Sequence, residues 1–526
     1  MELLVHAPFL AICAVLFLVV YFVRVVFLSP LSKIPSAHWS SSFSSAWILW
    51  QRWQGCELPS AVEAHRKLGP IVKLGPKDLS VTCYDEGIRK VYGGGFDKPV
   101  YYDFFGYYGT SNSFCSRTRQ QHAMHRRRMS TPYTKSSLFN SVELTAMTRR
   151  TLYERLLPRL QHESKVVAPT EMLELSYALC LDLVTQFIFG FSNASNFLQA
   201  PQAETIEWLD HYERRYCKES FWSQEMPLVH KMLTSLGVDL MPAGHVESTE
   251  WLESWMMEMC DGAERTLHNK SHQPEDAPLV FEPVYSASKK EYTPSDLESR
   301  RKAIASELFD HMSGAREVLG LVLAYTIFYI ARHPTAQQTL REELVAAQLD
   351  MRWHGEEVTD SSGGKMPSPQ AMDKLPYMSA VLKESLRMRP NSTPLPRVTP
   401  KDRSVTLAGY DNIPPETRVN SFQWFVHRDP TKWDAADEWR PERWLEDHPS
   451  CESSEAIDSG EARLWAFGSG PRICVGLHLT HYLMRYILAA IFGNFQVTVA
   501  DYESFGKHTP GSLEDKLWLK FEPLKV

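Results

Sequence analysis

Apolar residues recur along most of the chain with helical spacing. In residues 374–388 they lie on one helical face, which predicts an amphipathic helix. In residues 308–332 they lie on nearly all sides, and residues 477–495 form another long apolar segment. Helices that are apolar on most sides belong in a core. The pattern therefore predicts a mainly α protein.

The amino-terminal residues differ from the rest. Residues 7–27 form an apolar run, broken mainly by Pro8 and Arg24, that is about long enough to span a bilayer as a helix. Positive charge follows the run, which places the amino terminus in the lumen and the remainder in the cytoplasm. A cleaved signal peptide and a buried first helix are the alternatives. We expect three units, namely an anchor at 1–28, a proline-containing linker at 29–40 and a large domain at 41–526.

Composition is that of a globular protein. Of the 526 residues, 44% are hydrophobic and 23% are charged, and the net charge is −7 with both signs interspersed. Such a chain lacks the basic face with which a nucleic-acid-binding protein contacts phosphates, so nucleic acid is not an expected partner. The nine cysteines are scattered, odd in number and without a CxxC pair, which favours reduced thiols over a disulfide framework or a zinc site.

One cysteine lies in a loop punctuated by glycines. We name residues 467–476, with the sequence FGSGPRICVG, the cysteine loop. Gly468, Gly470 and Gly476 are expected to adopt torsions closed to other residues and to let the loop lie flat against a planar ligand. Cys474 precedes a helix, whose dipole and free N–H groups favour the thiolate, so we predict a metal ligand. Taken alone, such a cysteine is more often a small buried hydrophobe.

Charged residues further upstream can form a pair. Glu384 and Arg387 lie three apart on the helix at 374–388, and Arg443 follows in a proline-ordered aromatic segment. On a solvated surface an i, i+3 pair contributes little. In a buried setting its loss is costly, because either partner alone becomes an unpaired buried charge.

The cysteine loop resembles the cysteine-ligand loop of the cytochrome P450 haem-thiolate enzymes, with every fixed position present. The resemblance implies haem b, with an axial thiolate from Cys474 and cofactor contacts from Phe467, Arg472 and Gly476. Arg472 is placed to donate a bidentate hydrogen bond to a haem propionate. The implied fold is the cytochrome P450 fold, mainly α with a smaller β-rich part, preceded by one N-terminal transmembrane helix.

The resemblance extends from about residue 30 to the carboxyl terminus. Glu384 and Arg387 match the family's Glu-x-x-Arg pair and Arg443 the arginine that locks it, so we assign these three to folding and haem retention. His122 and Arg126 are similar to the family's Trp-or-His-x-x-x-Arg element, which hydrogen-bonds a propionate. For that basic stretch a solvated cationic helix is the alternative.

Two further segments carry expected pocket contacts. Arg397 matches another propionate contact, just beyond the helix at 374–388. The aromatic stretch at 100–110 aligns with the variable loop that roofs the pocket, which favours an apolar substrate, although such a loop can also simply pack its own core. The remaining pocket positions are the lid and three shorter segments, namely residues 208–255, 306–315, 391–395 and 509–512.

The oxygen-binding segment departs from the family pattern. Glu317 retains the acid of the Ala/Gly-Gly-x-Asp/Glu-Thr-Thr motif, but Val318 replaces the first threonine, whose hydroxyl can bond back to a helix carbonyl and pass protons to dioxygen. Proton delivery is then expected to use Glu317 through water, Ser313, or a hydroxyl on the substrate. Gly314 lets the backbone approach the haem closely.

The departure leaves several activities open. The first is a monooxygenase that inserts one atom of O2 into an apolar small molecule, with electrons from a separate NADPH-cytochrome P450 reductase, since the chain has no evident dinucleotide or flavin motif. The second is a haem-thiolate enzyme that rearranges a peroxide or catalyses phenol coupling or ring rearrangement. The retained Glu317 favours the first. A non-catalytic haem- or sterol-binding protein is the alternative of another class, which the complete cysteine loop disfavours.

The resemblance also implies a setting. Length and pattern are similar to the fungal members that act in secondary-metabolite biosynthesis. The implied location is the endoplasmic-reticulum membrane, crossed once, with the haem-thiolate catalytic domain at 41–526 in the cytoplasm.

Overall fold

A computed structural model describes residues 16–524 except positions 18, 21, 167, 270–271, 354–365, 391–392, 446–463 and 502–515. Most of the predicted anchor at 1–28 lies outside the described residues. So do the first two of the pocket positions at 391–395 and all of those at 509–512.

Helices make up most of the described chain. The α-helices are Ala46–Trp53, Glu57–Leu68, Arg119–Met129, Lys135–Asn140, Val142–Arg150, Leu157–Glu163, Met172–Phe189, Gln202–Arg215, Phe221–Glu225, Pro227–Ser235, His245–His268, Phe281–Glu291, Leu297–Gly314, Leu321–Arg332, Pro334–Ala346, Pro369–Asp373, Pro376–Met388, Gln423–His427 and Leu477–Asn494. Shorter 3₁₀ segments include Val100–Phe105, Pro441–Trp444 and Gly470–Arg472, and a π-helical segment spans Ala315–Gly320.

The strands form three small sheets in the described part of the chain. They are β1 (Ile71–Gly75), β2 (Asp78–Val81), β3 (Thr170–Glu171), β4 (Arg397–Val398), β5 (Val405–Leu407), β6 (Tyr410–Ile413), β7 (Arg418–Asn420), β8 (Phe495–Val499) and β9 (Trp518–Pro523). The largest sheet has the order β1-β2-β7-β4, with β2 and β7 parallel. The others are β3-β9-β8 and the hairpin β5-β6. The prediction of a mainly α protein with a smaller β-rich part is confirmed.

One long helix runs through the core, and we name Leu297–Arg332, including its π-helical segment, the central helix. The apolar pattern predicts its start at residue 308, which is wrong. The first turns, residues 297–302, are mostly polar and lie at the surface, so they carry no apolar periodicity. The central helix and Met172–Phe189 are both long and apolar enough to cross a membrane, but 78% and 94% of their apolar windows are buried, as expected of core helices.

The proline-containing segment 29–40 lies against the largest sheet. Leu31 and Ile34 are buried in one apolar cluster with Leu79 of β2. The Lys73 ammonium of β1 donates a 3.1 Å hydrogen bond to the Leu31 carbonyl. These contacts fix the direction in which the chain leaves the globular part toward residues 1–28.

Candidate active site

The cysteine loop is held by its backbone. Gly468 and Gly470 both have φ of +70°, and a Cβ on Gly470 would lie 2.5 Å from the backbone oxygen of Tyr92, so both positions need glycine. The Cys474 N–H donates to the Phe467 carbonyl at 3.0 Å. For Gly476 the torsional expectation is wrong, because its φ of −78° is open to any residue; it caps the helix Leu477–Asn494 instead.

The Cys474 side chain is accessible, yet protein surrounds it. Burial raises the pKa of its thiol, and this outweighs the opposing effects of the Gly476 and Leu477 N–H groups and of Arg126. The N–H groups at the helix start thus favour the thiolate, as predicted, but in the protein alone burial outweighs them. A side chain that is accessible but surrounded lines an internal cavity. A metal cation bound there would reverse the balance, because a coordinating thiol is deprotonated.

Cationic side chains converge beside the cysteine loop. Burial, Arg472, Lys98 and Arg126 together lower the pKa of His122 to about 3. Burial and Arg397 lower the pKa of Arg472 to about 10. Positive groups that destabilise one another in this way need an anion. The two carboxylates of a haem have the charge that this cluster lacks, so the residues present fit that group.

These side chains also tie three segments together. Arg126 donates to the Ile473 carbonyl at 3.0 Å. Arg472 donates to the carbonyls of Ser116 and Arg117, both at 2.8 Å. Arg397 donates to the Tyr102 hydroxyl at 2.9 Å. The basic helix Arg119–Met129, the 100–118 loop and the cysteine loop thus meet around one space.

Sequence reasoning missed Lys98 in this cluster. Its ammonium is buried, donates to the Phe114 carbonyl and lies 4.1 Å from the ring centroids of Tyr102 and Phe114. Burial, Arg397 and Arg472 lower its pKa well below the usual value. No motif marks this lysine, and only its place before an aromatic-rich loop could have drawn attention to it.

Glu384, Arg387 and Arg443 meet in a network that is almost fully buried. Arg387 donates to both Glu384 carboxylate oxygens, at 2.8 and 2.9 Å. The same carboxylate accepts from Arg443 at 3.1 Å, the Arg440 N–H at 2.8 Å and the Trp444 indole at 2.9 Å. Burial raises the pKa of Glu384, but Arg387, Arg443 and the Arg440 N–H outweigh it and lower the pKa overall. Trp444 is the member that sequence reasoning missed.

The central helix presents one accessible stripe within the core. Between Ala303 and Gly320, the positions that are not fully buried are Asp310, His311, Gly314, Glu317 and Val318. The offsets of one, four, seven and eight residues place them on one helical face. A Cβ on Gly314 would have no heavy atom within 4 Å. Apart from burial, the pKa of the Cys474 thiol is raised by Asp310, so this stripe is near Cys474.

The residues predicted for the oxygen-binding segment of the central helix divide into two groups. Glu317 lies on the stripe, with its carboxylate 2.7 Å from the Arg316 guanidinium. Ser313 lies off the stripe, buried, with its hydroxyl 3.0 Å from that of Tyr107. Ser313 therefore holds the 100–110 loop on the helix, whereas Glu317 and Val318 remain on the accessible face.

The backbone departs from regular α-helical geometry where the motif lacks threonine. Residues 315–320 are π-helical, and the Ala315 N–H donates to the carbonyls of both His311 and Met312. A π segment widens the helix locally and is frequent at functional sites. The change in backbone hydrogen bonding thus falls at the segment where the family motif has its threonines.

The 100–110 loop both packs on itself and reaches the central helix. Tyr101, Tyr102 and Phe105 form an aromatic cluster with Cys115. The Tyr107 ring stacks on Phe309 at a centroid distance of 3.9 Å. A loop that packs its own aromatic core and a loop that roofs the pocket are therefore compatible expectations.

Comparison with known proteins agrees with this geometry. The sequence profile of the cytochrome P450 family matches residues 43–519. The chain is 25% identical to the cytochrome P450 monooxygenase sdnE of Sordaria araneosa, over 92% of this chain and 90% of the relative. It is 24% identical to the cytochrome P450 monooxygenase stcB of Emericella nidulans, over 89% and 83%. It is 23% identical to the cytochrome P450 monooxygenase ABA2 of Pyricularia oryzae, over 92% and 87%. The chain belongs to the cytochrome P450 family, whose members bind haem through a cysteine thiolate.

Proposed function

We propose that the protein inserts one atom of O2 into an apolar small molecule of secondary metabolism, with electrons from NADPH-cytochrome P450 reductase. The observation that carries the proposal is the placement of Cys474 near the Gly314 stripe of the central helix, with a cationic cluster at the side. The monooxygenase relatives support the reaction class.

The residues divide the work around haem b. When bound through Cys474, the haem supplies the cleavage of O2, which the thiolate assists by donating electron density. Arg126, Arg397 and Arg472, with His122, would bind its carboxylates. Phe467 and Gly476 precede and follow Cys474 in the cysteine loop, and Gly314 leaves space on the central helix.

Proton delivery is assigned to Glu317 rather than to residue 318. Val318 has no hydroxyl, and Ser313 is bonded to Tyr107. Arg316 fixes the Glu317 carboxylate and lies 3.7 Å from Glu213, an exposed residue of the helix Gln202–Arg215. Water along the stripe, from Glu317 toward Gly314, would complete the route from the surface.

Turnover measurements test the reaction. Candidate apolar substrates are incubated with reductase, NADPH and O2, and separately with an organic peroxide alone. We expect labelled oxygen from O2 in the product, and loss of product when the reductase is left out. Product from the peroxide alone, without reductase or O2, would contradict the proposal and favour peroxide rearrangement. The peroxide experiment is included because Val318 lacks the hydroxyl of the motif, and the rearrangement of a pre-formed peroxide needs no proton relay.

Membrane attachment belongs to the same proposal. Large apolar side chains are exposed near the amino terminus and on the lid segment, among them Phe27, Leu28, Trp39, Leu228 and Leu236. Exposed apolar surface beside an apolar amino-terminal run fits one crossing of the endoplasmic-reticulum membrane with a cytoplasmic catalytic domain. We expect deletion of residues 1–28 to release the protein from alkaline-washed microsomes in part, with Leu228→Ser releasing more. Full retention without residues 1–28 would contradict the anchor.

A further inference from the structure

Asp310 lies on the accessible stripe of the central helix, one turn before Gly314. Its carboxylate influences Cys474, Cys115 and Tyr133, which come from the cysteine loop, the 100–118 loop and the segment after the basic helix. It therefore lies deep in the protein, within electrostatic range of all three segments.

Asp310 makes no hydrogen bond and no ion pair with any residue in the described part of the chain. The neighbouring acid, Glu307, is different. Glu307 accepts from His125 at 2.6 Å and from the Ser113 N–H at 3.1 Å, and it lies 3.6 Å from His311. Two carboxylates three residues apart on the same core helix thus differ, because Glu307 has several hydrogen-bond partners whereas Asp310 has none among the described residues.

The basic side chains that act electrostatically on Asp310 are engaged elsewhere. The strongest of them, His311, lies 2.9 Å from the Tyr133 hydroxyl and 3.6 Å from Glu307. Lys98 acts electrostatically on Asp310, but its ammonium donates to the Phe114 carbonyl and lies over two aromatic rings. Burial, and next to it Glu307, raise the pKa of Asp310 to about 7, with His311 and Lys98 acting the other way. A buried carboxylate without a partner is costly, and a cation that enters the cavity removes that cost.

We propose that Asp310 anchors the substrate by pairing with a protonated or quaternary nitrogen, so that the protein oxidises an apolar molecule that carries one basic nitrogen. This rests on the proposed function and adds the substrate class. The apolar part of the molecule would lie along the stripe toward Gly314, while the nitrogen is held one helical turn away.

Two probes isolate the charge. Benzyltrimethylammonium and neopentylbenzene have the same shape and differ in one atom, a positively charged nitrogen in place of carbon. Neither can coordinate iron. Binding to the full-length holoprotein is followed by the shift of the Soret band as ligand displaces water, in the wild type, Asp310→Asn and the control Asp402→Asn, an exposed acid.

We expect the wild type to bind the ammonium probe at least about tenfold more tightly than the neutral one. Asp310→Asn should lose that preference while its affinity for neopentylbenzene stays within about twofold, and Asp402→Asn should match the wild type. Equal affinities of the wild type for the two probes would overturn the proposal, even if Asp310→Asn does not fold.

The other outcomes are also decisive. Unchanged probe binding with slower turnover in Asp310→Asn would overturn the anchor and assign Asp310 to proton delivery. Unchanged binding and turnover would overturn any role in the pocket. If the wild type lacks the thiolate signature in its reduced carbon-monoxide spectrum, the proposed function fails; if that signature is present and charge selectivity is absent, only the anchor fails.

Discussion

Two buried networks of charged side chains connect different parts of the protein. The Glu384 network links the helix Pro376–Met388 to the 434–444 segment, and its charged groups Glu384, Arg387 and Arg443 are buried in the core. The second network links the lid to the body of the protein. Glu225, at the end of the lid helix Phe221–Glu225, pairs with Arg418 of β7 at 2.6 Å and with Arg52 at 3.2 Å. We name this second cluster the lid network.

The two networks differ in how many carboxylates remain near the arginines when one carboxylate is removed. In the Glu384 network one buried carboxylate serves two guanidinium groups, so its loss removes this shared ion-pair partner from both. In the lid network Arg52 also pairs with Glu57 at 2.9 Å and Asp78 at 2.7 Å, so it stays neutralised when Glu225 leaves. Similar chemistry can therefore fix one region and let another separate.

Glu384→Gln should have the largest effect. Arg387 and Arg443 would lose the carboxylate that they share in the core, at a cost of about 3–5 kcal/mol. We expect loss of bound haem and a lower unfolding temperature, measured on the same preparation by haem content and calorimetry. Glu298→Gln, at an exposed i, i+4 pair with Lys302, is the matched control and should change neither. Normal haem content and stability in Glu384→Gln would show that the network is not structural.

Glu225→Gln should affect the lid more than the whole protein. We expect faster hydrogen exchange in residues 221–235 and a smaller loss of stability, about 1–3 kcal/mol, because the neutral amide still accepts hydrogen bonds from Arg52 and Arg418. Substrate association and dissociation should both accelerate in stopped-flow mixing. Exchange that rises equally throughout the protein would contradict the distinction between the two networks.

Acid should weaken the lid network. Burial raises the pKa of Glu225, but Arg418 and Arg52 outweigh it and lower the pKa to about 2, from an ordinary value of 4.5. A lowered folded-state pKa means that the stabilisation is present above pH 4.5 and is lost as the pH falls toward 2. Hydrogen exchange of residues 221–235, corrected for intrinsic rates, should rise in that window. The same rise in Glu225→Gln would exclude Glu225 as its origin.

Val318→Thr should have the smallest effect. The helix is already π-helical at residue 318 without a threonine there, and Glu317 remains on the stripe. We expect the fraction of electrons recovered in product to change by less than about twofold, measured as product formed per NADPH consumed. A large gain in coupling would show that the missing hydroxyl limits the native enzyme.

Local patterns predicted much of the fold and of the site. The cysteine loop, the Glu384–Arg387 pair and the basic helix are each contained in a few consecutive residues, so their spacing carries the information. The match to the cytochrome P450 family and to its fungal members agrees with the resemblance that these motifs carry.

Contacts between distant segments could not be predicted in this way. Glu225 lies 173 residues from Arg52 and 193 from Arg418, and no motif connects them. The pKa of Cys474 depends on burial, which the loop sequence does not give. Asp310 lies inside the oxygen-binding segment, but its lack of a partner follows only from where Lys98, His125 and His311 place their own bonds.

The reduced carbon-monoxide spectrum tests thiolate ligation by Cys474 most directly. The wild type and Cys56→Ala, which removes another accessible thiol, should both show the red-shifted Soret band of a haem-thiolate. Cys474→Ala should lose it. A wild-type protein that binds haem without this band, or a Cys474→Ala protein that retains it, would contradict the account.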